Sequence, residues 1–289
     1  AINSPTNSTY AATSIALNVS AVDASGISMV LAEVNGAYNL TLTYQGGFFV
    51  DASASFSQGA NSVRIFASDT AGNMNSTQSV QFSVYPGLAA WWRMNEGAGT
   101  KVNASSPNAN NGTATAAVWV PGVSGTALNF TGTNSVSVNN SASLRMSGDI
   151  TMIAWIYFKG YAQNTYAYIL ERGSNDIDNY AMFISNNGLE FECQKSGGGY
   201  VNYNDGKGAI PQNKWVQVAI TFNDANNTLI FYRNGTKTRE INALTFQLNG
   251  LINANLLIGS QNYGSYYFRF KGAMDEVMLF NRALPQTEI

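Results

Sequence analysis

The 289-residue chain has no histidine, a single cysteine and only 11% charged residues. Without histidine it lacks the commonest general base and the commonest transition-metal ligand. One cysteine excludes an intrachain disulfide. Cys193 closes the alternating run Leu189-Glu190-Phe191-Glu192-Cys193, so it reads as a buried small hydrophobe, not a nucleophile. Average soluble domains carry about 25% charge. Here the net charge is −2 and the basic residues are scattered singly, which argues against nucleic acid or an anionic membrane as partner. No apolar run approaches the ~20 residues of a membrane span, so no direct membrane insertion is expected in this segment. No signal-peptide pattern precedes the abrupt start at Ala1, and Gln286-Thr287-Glu288-Ile289 ends without a polar tail; a mature or trimmed piece of a longer protein is expected.

Ser, Thr, Asn and Gly supply the polarity that charge does not. About one residue in eight is Asn, and Asn-x-Ser/Thr sites fall at Asn7, Asn18, Asn39, Asn75, Asn103, Asn111, Asn129, Asn139, Asn226 and Asn234. Each is a candidate glycan acceptor on a secreted protein, although an Asn-rich chain produces several by chance. The composition points to an extracellular or cell-surface location.

Strand signals recur as short alternating runs broken by Gly, Asn, Asp and Ser. Ile15–Val22, Met29–Val34, Tyr38–Tyr44, Val63–Ser68 and Val80–Val84 alternate, and Asn35-Gly36 reads as a tight hairpin turn. Helical periodicity is absent, and seven or so strands in about 85 residues is the count of an immunoglobulin-like sandwich. Tyr85-Pro86-Gly87 reads as a linker. Two domains are expected, 1–85 and 86–289. The second has longer strands, among them Ile150–Phe158, Ala167–Glu171, Ala181–Ser185, Leu189–Gln194, Trp215–Phe222, Thr228–Asn234, Asn255–Ile258 and Phe270–Phe280. Roughly 12 to 14 strands in 200 residues predict two packed sheets, a jelly roll, with a helical turn only after Pro285. Trp155 and Trp215 lie in alternating strands and are expected between the sheets. The fold class is all-β.

The first domain resembles the immunoglobulin-like repeats of bacterial and archaeal surface proteins. Ile2-Asn3-Ser4-Pro5, Val19–Asp23, Gly59–Val63 and Ala67-Ser68-Asp69-Thr70-Ala71-Gly72-Asn73 carry that resemblance. Asp69 through Asn73 reads as a tight turn, Gly72 taking positive φ and Asp69 accepting backbone N–H bonds. The second resembles laminin-G-like, concanavalin A-like jelly rolls across 88–289. The matching pieces, in order, are Ala90–Gly99, Asn110–Thr113 with Ala127–Gly132, Ile150–Ile156, Asn213–Ala219 with Phe231–Gly235, and Phe270–Val277 closing on Arg282-Ala283-Leu284.

Related jelly rolls include glucanases with alternating acids on one strand, where spacing of two puts both carboxylates on one face. Glu190-x-Glu192 is the nearest match; it reads as two solvent-facing glutamates, and the domain as non-catalytic. The resemblance implies a structural calcium ion between opening and closing strands, with Asp275 as ligand and Asn95 and Glu96 nearby. The alternative is that Asp275 caps a turn or binds backbone. For a binding face, the tyrosine-rich loops stand out: Tyr161, Tyr166 and Tyr168; Tyr200 and Tyr203; Tyr263, Tyr266 and Tyr267. Tyrosine with Asn, Gly and Ser suits adaptable recognition of protein or sugar. The expected function is a non-catalytic binding or adhesion module of a microbial surface or secreted protein, the jelly roll recognising carbohydrate or a cell-surface protein and the first domain acting as spacer. The alternatives are a self-associating subunit of a cell-surface layer or filament, or an accessory module of a secreted glycosidase.

Overall fold

The computed structural model describes residues 1–162, 165–174, 177–186, 188–263 and 266–289, the side chains of 174, 177, 262, 263, 266 and 267 excepted. Among the described residues it is all-β apart from two 3-10 turns, Ala142–Leu144 and Gln286–Glu288. No helix among the described residues is long and apolar enough to cross a membrane. The chain divides into two compact units, Ala1–Gly87 and Leu88–Ile289.

The first unit has nine strands in a four-stranded and a five-stranded sheet. The smaller sheet runs Ile2–Ser4, Leu17–Val19, Phe48–Asp51, Thr43–Gln45. The larger runs Thr9–Tyr10, Met74–Val84, Gly59–Asp69, Ile27–Val34, Tyr38–Thr41. Alternation sets the core: Val30, Ala32 and Val34 of one strand meet Leu17, Val19, Val63, Ile65, Phe82 and Val84. Asn35 and Gly36 both take positive φ in the expected hairpin turn. Asp69 Oδ1 accepts the Asn73 amide at 2.8 Å, with Gly72 at φ 86°.

The second unit has seventeen strands among the described residues. That exceeds the expected number because segments as short as Lys101–Val102 and Gly112–Ala114 join the ladders. One sheet runs Trp119–Pro121, Thr126–Thr131, Tyr266–Phe280, Ile150–Tyr161, Trp215–Asn223, Thr228–Arg233, Thr236–Ile241, with Leu88–Trp92 and Ser260–Tyr263 also paired to the long strand Tyr266–Phe280. The other runs Lys101–Val102, Gly112–Ala114, Val136–Val138, Leu256–Ile258, Ala167–Ser174, Ile177–Ser185, Gly188–Gln194, Tyr200–Asn204. Both give their inner faces to one core. Met152, Ala154, Ile156 and Phe158 come from the first sheet; Met182, Ile184, Leu189, Phe191 and Cys193 come from the second. Cys193 is fully buried, and burial raises its thiol far above the usual range, which suits packing and not reactivity.

The expectation for two tryptophans is corrected. Trp155 and Trp215 are only partly buried. The even-numbered residues of Ile150–Tyr161 take the core, so Trp155 falls on the outer face, and Trp215 lies edge-on to Tyr157 at 5.7 Å. The tryptophan that fills the core is Trp92, fully buried with its Nε1 donating to the carbonyl of Asn110 at 2.8 Å.

Candidate functional site

Two places in the second unit collect chemistry. The first surrounds Asp275, which is fully buried. Its Oδ2 accepts the amides of Val123 (2.8 Å) and Ser124 (3.0 Å), and its Oδ1 accepts the amide of Glu276 (2.8 Å). Asn95 Oδ1 accepts the Thr126 amide at 2.7 Å, and Glu96 Oε1 accepts the Asn103 amide at 2.7 Å. Asp275 and Asn95 therefore grip opposite ends of one loop, 122–126. The grip needs two glycines: a Cβ on Gly122 would stand 2.5 Å from Asp275 Oδ2, and one on Gly125 2.3 Å from Asn95 Oδ1. Burial pushes the Asp275 carboxyl up from its ordinary range, and the three amides pull it back. Asp275, Asn95 and Glu96 thus share one neighbourhood, but their oxygens are committed to amides; only Glu96 Oε2 is buried without a partner. A calcium ion takes six to eight oxygens, and among the described residues no three Asp, Glu, His or Cys side chains form a metal group. As they stand, these three residues do not fit a calcium cage.

The second place is the outer face of the eight-stranded sheet. Phe191 and Cys193 point to the core, so Glu190, Glu192 and Gln194 point away from it, and ladder pairing adds Asn204, Asn202 and Tyr200 opposite them. On the other side, Ala181 pairs with Glu192 and Phe183 with Glu190. Two bulges then shape the pairing of Ala167–Ser174 with Ile177–Ser185. Tyr168 pairs with Phe183 but Leu170 with Met182, so Ile169 is the extra residue, and Tyr168 and Glu171 come to the same face. Arg172 pairs with Tyr180 but Gly173 with Asp178; the extra residue is Asn179, and Asp178 is turned to the face that holds Glu171.

The expectation that Glu190 and Glu192 face solvent is corrected. They share a face, yet Glu190 is 5% exposed and accepts the Ser185 hydroxyl, while Glu192 is partly buried and accepts Asn202 Nδ2 at 3.1 Å. The hairpin formed by Ser260–Tyr263 and the start of Tyr266–Phe280 lies over this face. Gln261 and Phe268 are opposite one another in it. Gln261 Nε2 donates to Asp178 Oδ2 at 3.1 Å, and Phe268 stacks near Tyr168 at 6.1 Å. Tyr168 also stacks on Phe183 at 4.5 Å, and Tyr166 meets Phe183 and Phe268 edge-on.

The tyrosines separate accordingly. Tyr166 (41% exposed) and Tyr200 (46%) are open on or beside this face, and Tyr168 is buried within its aromatic cluster. Tyr161 packs on Phe158, and Tyr203 turns inward to stack with Phe246. The side chains of Tyr263, Tyr266 and Tyr267 lie outside the described residues. Glu171, Asp178, Gln261, Phe183 and Phe268 escape sequence reasoning. The signal available was a pair of acids, Glu171 and Asp178, in two strands rich in apolar residues. Of the Asn-x-Ser/Thr positions, Asn18 and Asn129 are partly buried and the others are exposed.

Known proteins agree with this architecture. The family model described as the concanavalin A-like lectin/glucanases superfamily matches residues 130–289. No curated protein matches the sequence. Among solved structures, domain 4 of AbnA, an extracellular arabinanase from Geobacillus stearothermophilus in complex with arabinotriose, is similar at TM-score 0.55 and 18% identity, over 70% of this chain and 95% of that one. The binding domain of Paraclostridial Mosquitocidal Protein 1 is similar at TM-score 0.52 and 16% identity, and that of botulinum neurotoxin serotype G at 0.53 and 14%. Both alignments cover 70% of this chain and about half of the toxin domain, 50% and 49%. With the family model spanning more than half its length, the chain belongs to the concanavalin A-like lectin/glucanases superfamily.

Proposed function

We propose that the second unit is a non-catalytic carbohydrate-binding module of a secreted or cell-surface protein, and that the first is an immunoglobulin-like spacer. The observation that carries the reading is the composition of one sheet face. Tyr166 and Tyr200 offer exposed aromatic rings, and Asn202 and Glu192 of the same sheet offer amide and carboxylate groups. An apolar ring with a few placed polar groups is the ordinary chemistry of a small-ligand site. Sugars fit it because their C–H faces stack on rings while amides and acids take their hydroxyls. The similarity to an arabinanase domain that holds arabinotriose supports the same reading. The spacer reading rests on the paired sheets of the first unit and on the parallel contact of Thr9–Tyr10 with the last strand.

A glycan array of the full chain, with arabino-oligosaccharides included, tests the proposal. Saturable binding that Tyr166→Ala and Tyr200→Ala each weaken is expected. Binding that both variants leave unchanged would remove this face from consideration, and no binding to any glycan would count against the function itself.

A further inference from the structure

A buried cation in the second unit meets no opposite charge among the described residues. Arg172 is fully buried. Its guanidinium donates to Asn179 Oδ1 at 3.0 Å, to Asn140 Oδ1 at 2.8 Å and to the carbonyl of Ile252 at 2.7 Å. All three acceptors are neutral, and Nε is buried without a partner. Arginine keeps its proton in proteins, and a desolvated charge without a counter-ion is costly. The ion pairs of the described residues, Arg233–Asp205, Lys237–Glu240 and Arg282–Glu288, lie elsewhere. Glu171, its neighbour in sequence, points to the other face of the strand. What stands close is a second cation. Asn140 Oδ1 also accepts Arg145 Nε at 3.4 Å, so one amide oxygen lies between two guanidinium groups. Burial leads in pulling the Arg172 pKa below its ordinary value; Tyr180 opposes the fall and Arg145 adds to it.

We propose that Arg145 and Arg172, with Asn140 and Asn253 beside them, form an oxyanion site that takes a carboxylate or sulfate group. Arg145 is exposed, so an anion reaches it from solvent. Its bonds to Asn140 and, through Nη2, to Asn253 are both long, at 3.4 Å, and yield readily to an ionised acceptor. The guanidinium fork matches two oxygens of a carboxylate or sulfate. Asn140 and Asn253 are already bonded to one another, and either carboxamide presents N–H in place of its oxygen on turning over. The anion then bonds Arg145 directly. Arg172 acts from behind Asn140 through its charge, which buried surroundings screen little. The Asn179 bulge builds the place. Asn179 is fully buried; its Oδ1 holds Arg172 and its Nδ2 donates to the carbonyl of Met146 at 2.8 Å. The residue that fixes one guanidinium therefore also fixes the chain that carries the other. A free inorganic anion and the acid group of a sugar offer this site the same chemistry, and only the second source rests on the glycan-binding reading.

The test is calorimetry and thermal unfolding of the full chain at constant ionic strength in sodium chloride. Sodium sulfate and trigalacturonate are the charged probes, and arabinotriose is the neutral control. Saturable binding of one charged probe per chain is expected. The unfolding midpoint of the second unit should rise by roughly 5 °C when that probe exceeds its dissociation constant about 100-fold. Arg145→Gln, at an exposed position, weakens binding about 10-fold or more. Asn253→Asp puts a carboxylate beside Arg145, so it raises the midpoint with no probe present and abolishes probe binding. Trigalacturonate bound more tightly than sulfate assigns the site to an acidic sugar; sulfate bound as tightly or more so assigns it to a free anion. Sulfate bound with neither sugar bound leaves the site standing and the glycan-binding reading fallen. No saturable binding of either charged probe at millimolar concentrations overturns the proposal, as does binding that Arg145→Gln retains in full. Stabilisation by sulfate that is equal in the parent and in Arg145→Gln also overturns it, because that is the general exclusion of the salt from protein surface.

Discussion

Asp275 and the Glu171–Asp178 pair are both shut away from water, and they differ in what meets the charge. Asp275 stands against a loop, 122–126, where the amides of Val123 and Ser124 are not needed by a ladder and turn to the carboxylate. Glu171 and Asp178 lie within paired strands, where the backbone amides are spent on neighbouring strands. A sheet interior has no amides to spare, so an acid placed there depends on side chains or on something from outside. The first site therefore fixes a loop within the fold, and in the second the two carboxyls meet one another, with the Gln261 amide on Asp178.

The sharpest way to break the comparison is to remove the satisfied acid. Asp275→Ala strands three amides, two of them in loop 122–126. A loss of about 3–5 kcal/mol in the unfolding free energy of the second unit is expected in urea denaturation. A loss below about 1 kcal/mol would mean that the loop finds other partners. The unsatisfied pair should respond to pH in the opposite sense from an ordinary salt-bridged carboxylate. Its folded pKa values lie above the unfolded ones, so the folded state holds protons that the unfolded state releases. Stability should be highest near pH 4 and fall as pH rises towards about 7, the value to which Asp178 is raised. A drop of about 2–3 kcal/mol between those limits is expected in denaturation curves. Curves flat across that window would show the pair to be charged and met already.

Glu171→Gln tests the same contrast more gently. It keeps the shape and removes the charge, so at pH 8 it should stabilise the chain by about 1–2 kcal/mol. The smallest effects belong to the open rings. Tyr166→Ala and Tyr200→Ala should weaken glycan binding about 10-fold, near 1.4 kcal/mol, and change stability by less than about 1 kcal/mol. Tyr203→Ala, which removes a ring stacked with Phe246 inside the unit, should do the reverse in calorimetry, costing stability through a cavity.

Period-2 runs and turn residues carried the fold class, because alternation is a local consequence of the strand and Asn35-Gly36 or Asp69–Asn73 need only their own neighbours to turn. The same rule misplaced Trp155, since reading a strand does not say which of its two faces meets the core; Ile150, Met152, Ala154, Ile156 and Phe158 decide that together. It also left Glu190 looking solvent-facing, because what covers a face comes from distant sequence.

The sequence by itself determined that this is a β-protein of weakly charged, Asn- and Ser-rich surface, with the ordered motifs of a concanavalin A-like jelly roll. Only the tertiary structure decided which acids are in play. Asp275 was visible but turned out to be bound by amides of residues some 150 positions away, separations of 152 and 151. Glu171 and Asp178 were brought to one face by two bulges, each a single extra residue, Ile169 and Asn179. A bulge is fixed by the partner strand's register and by packing on both faces, neither of which the local pattern contains.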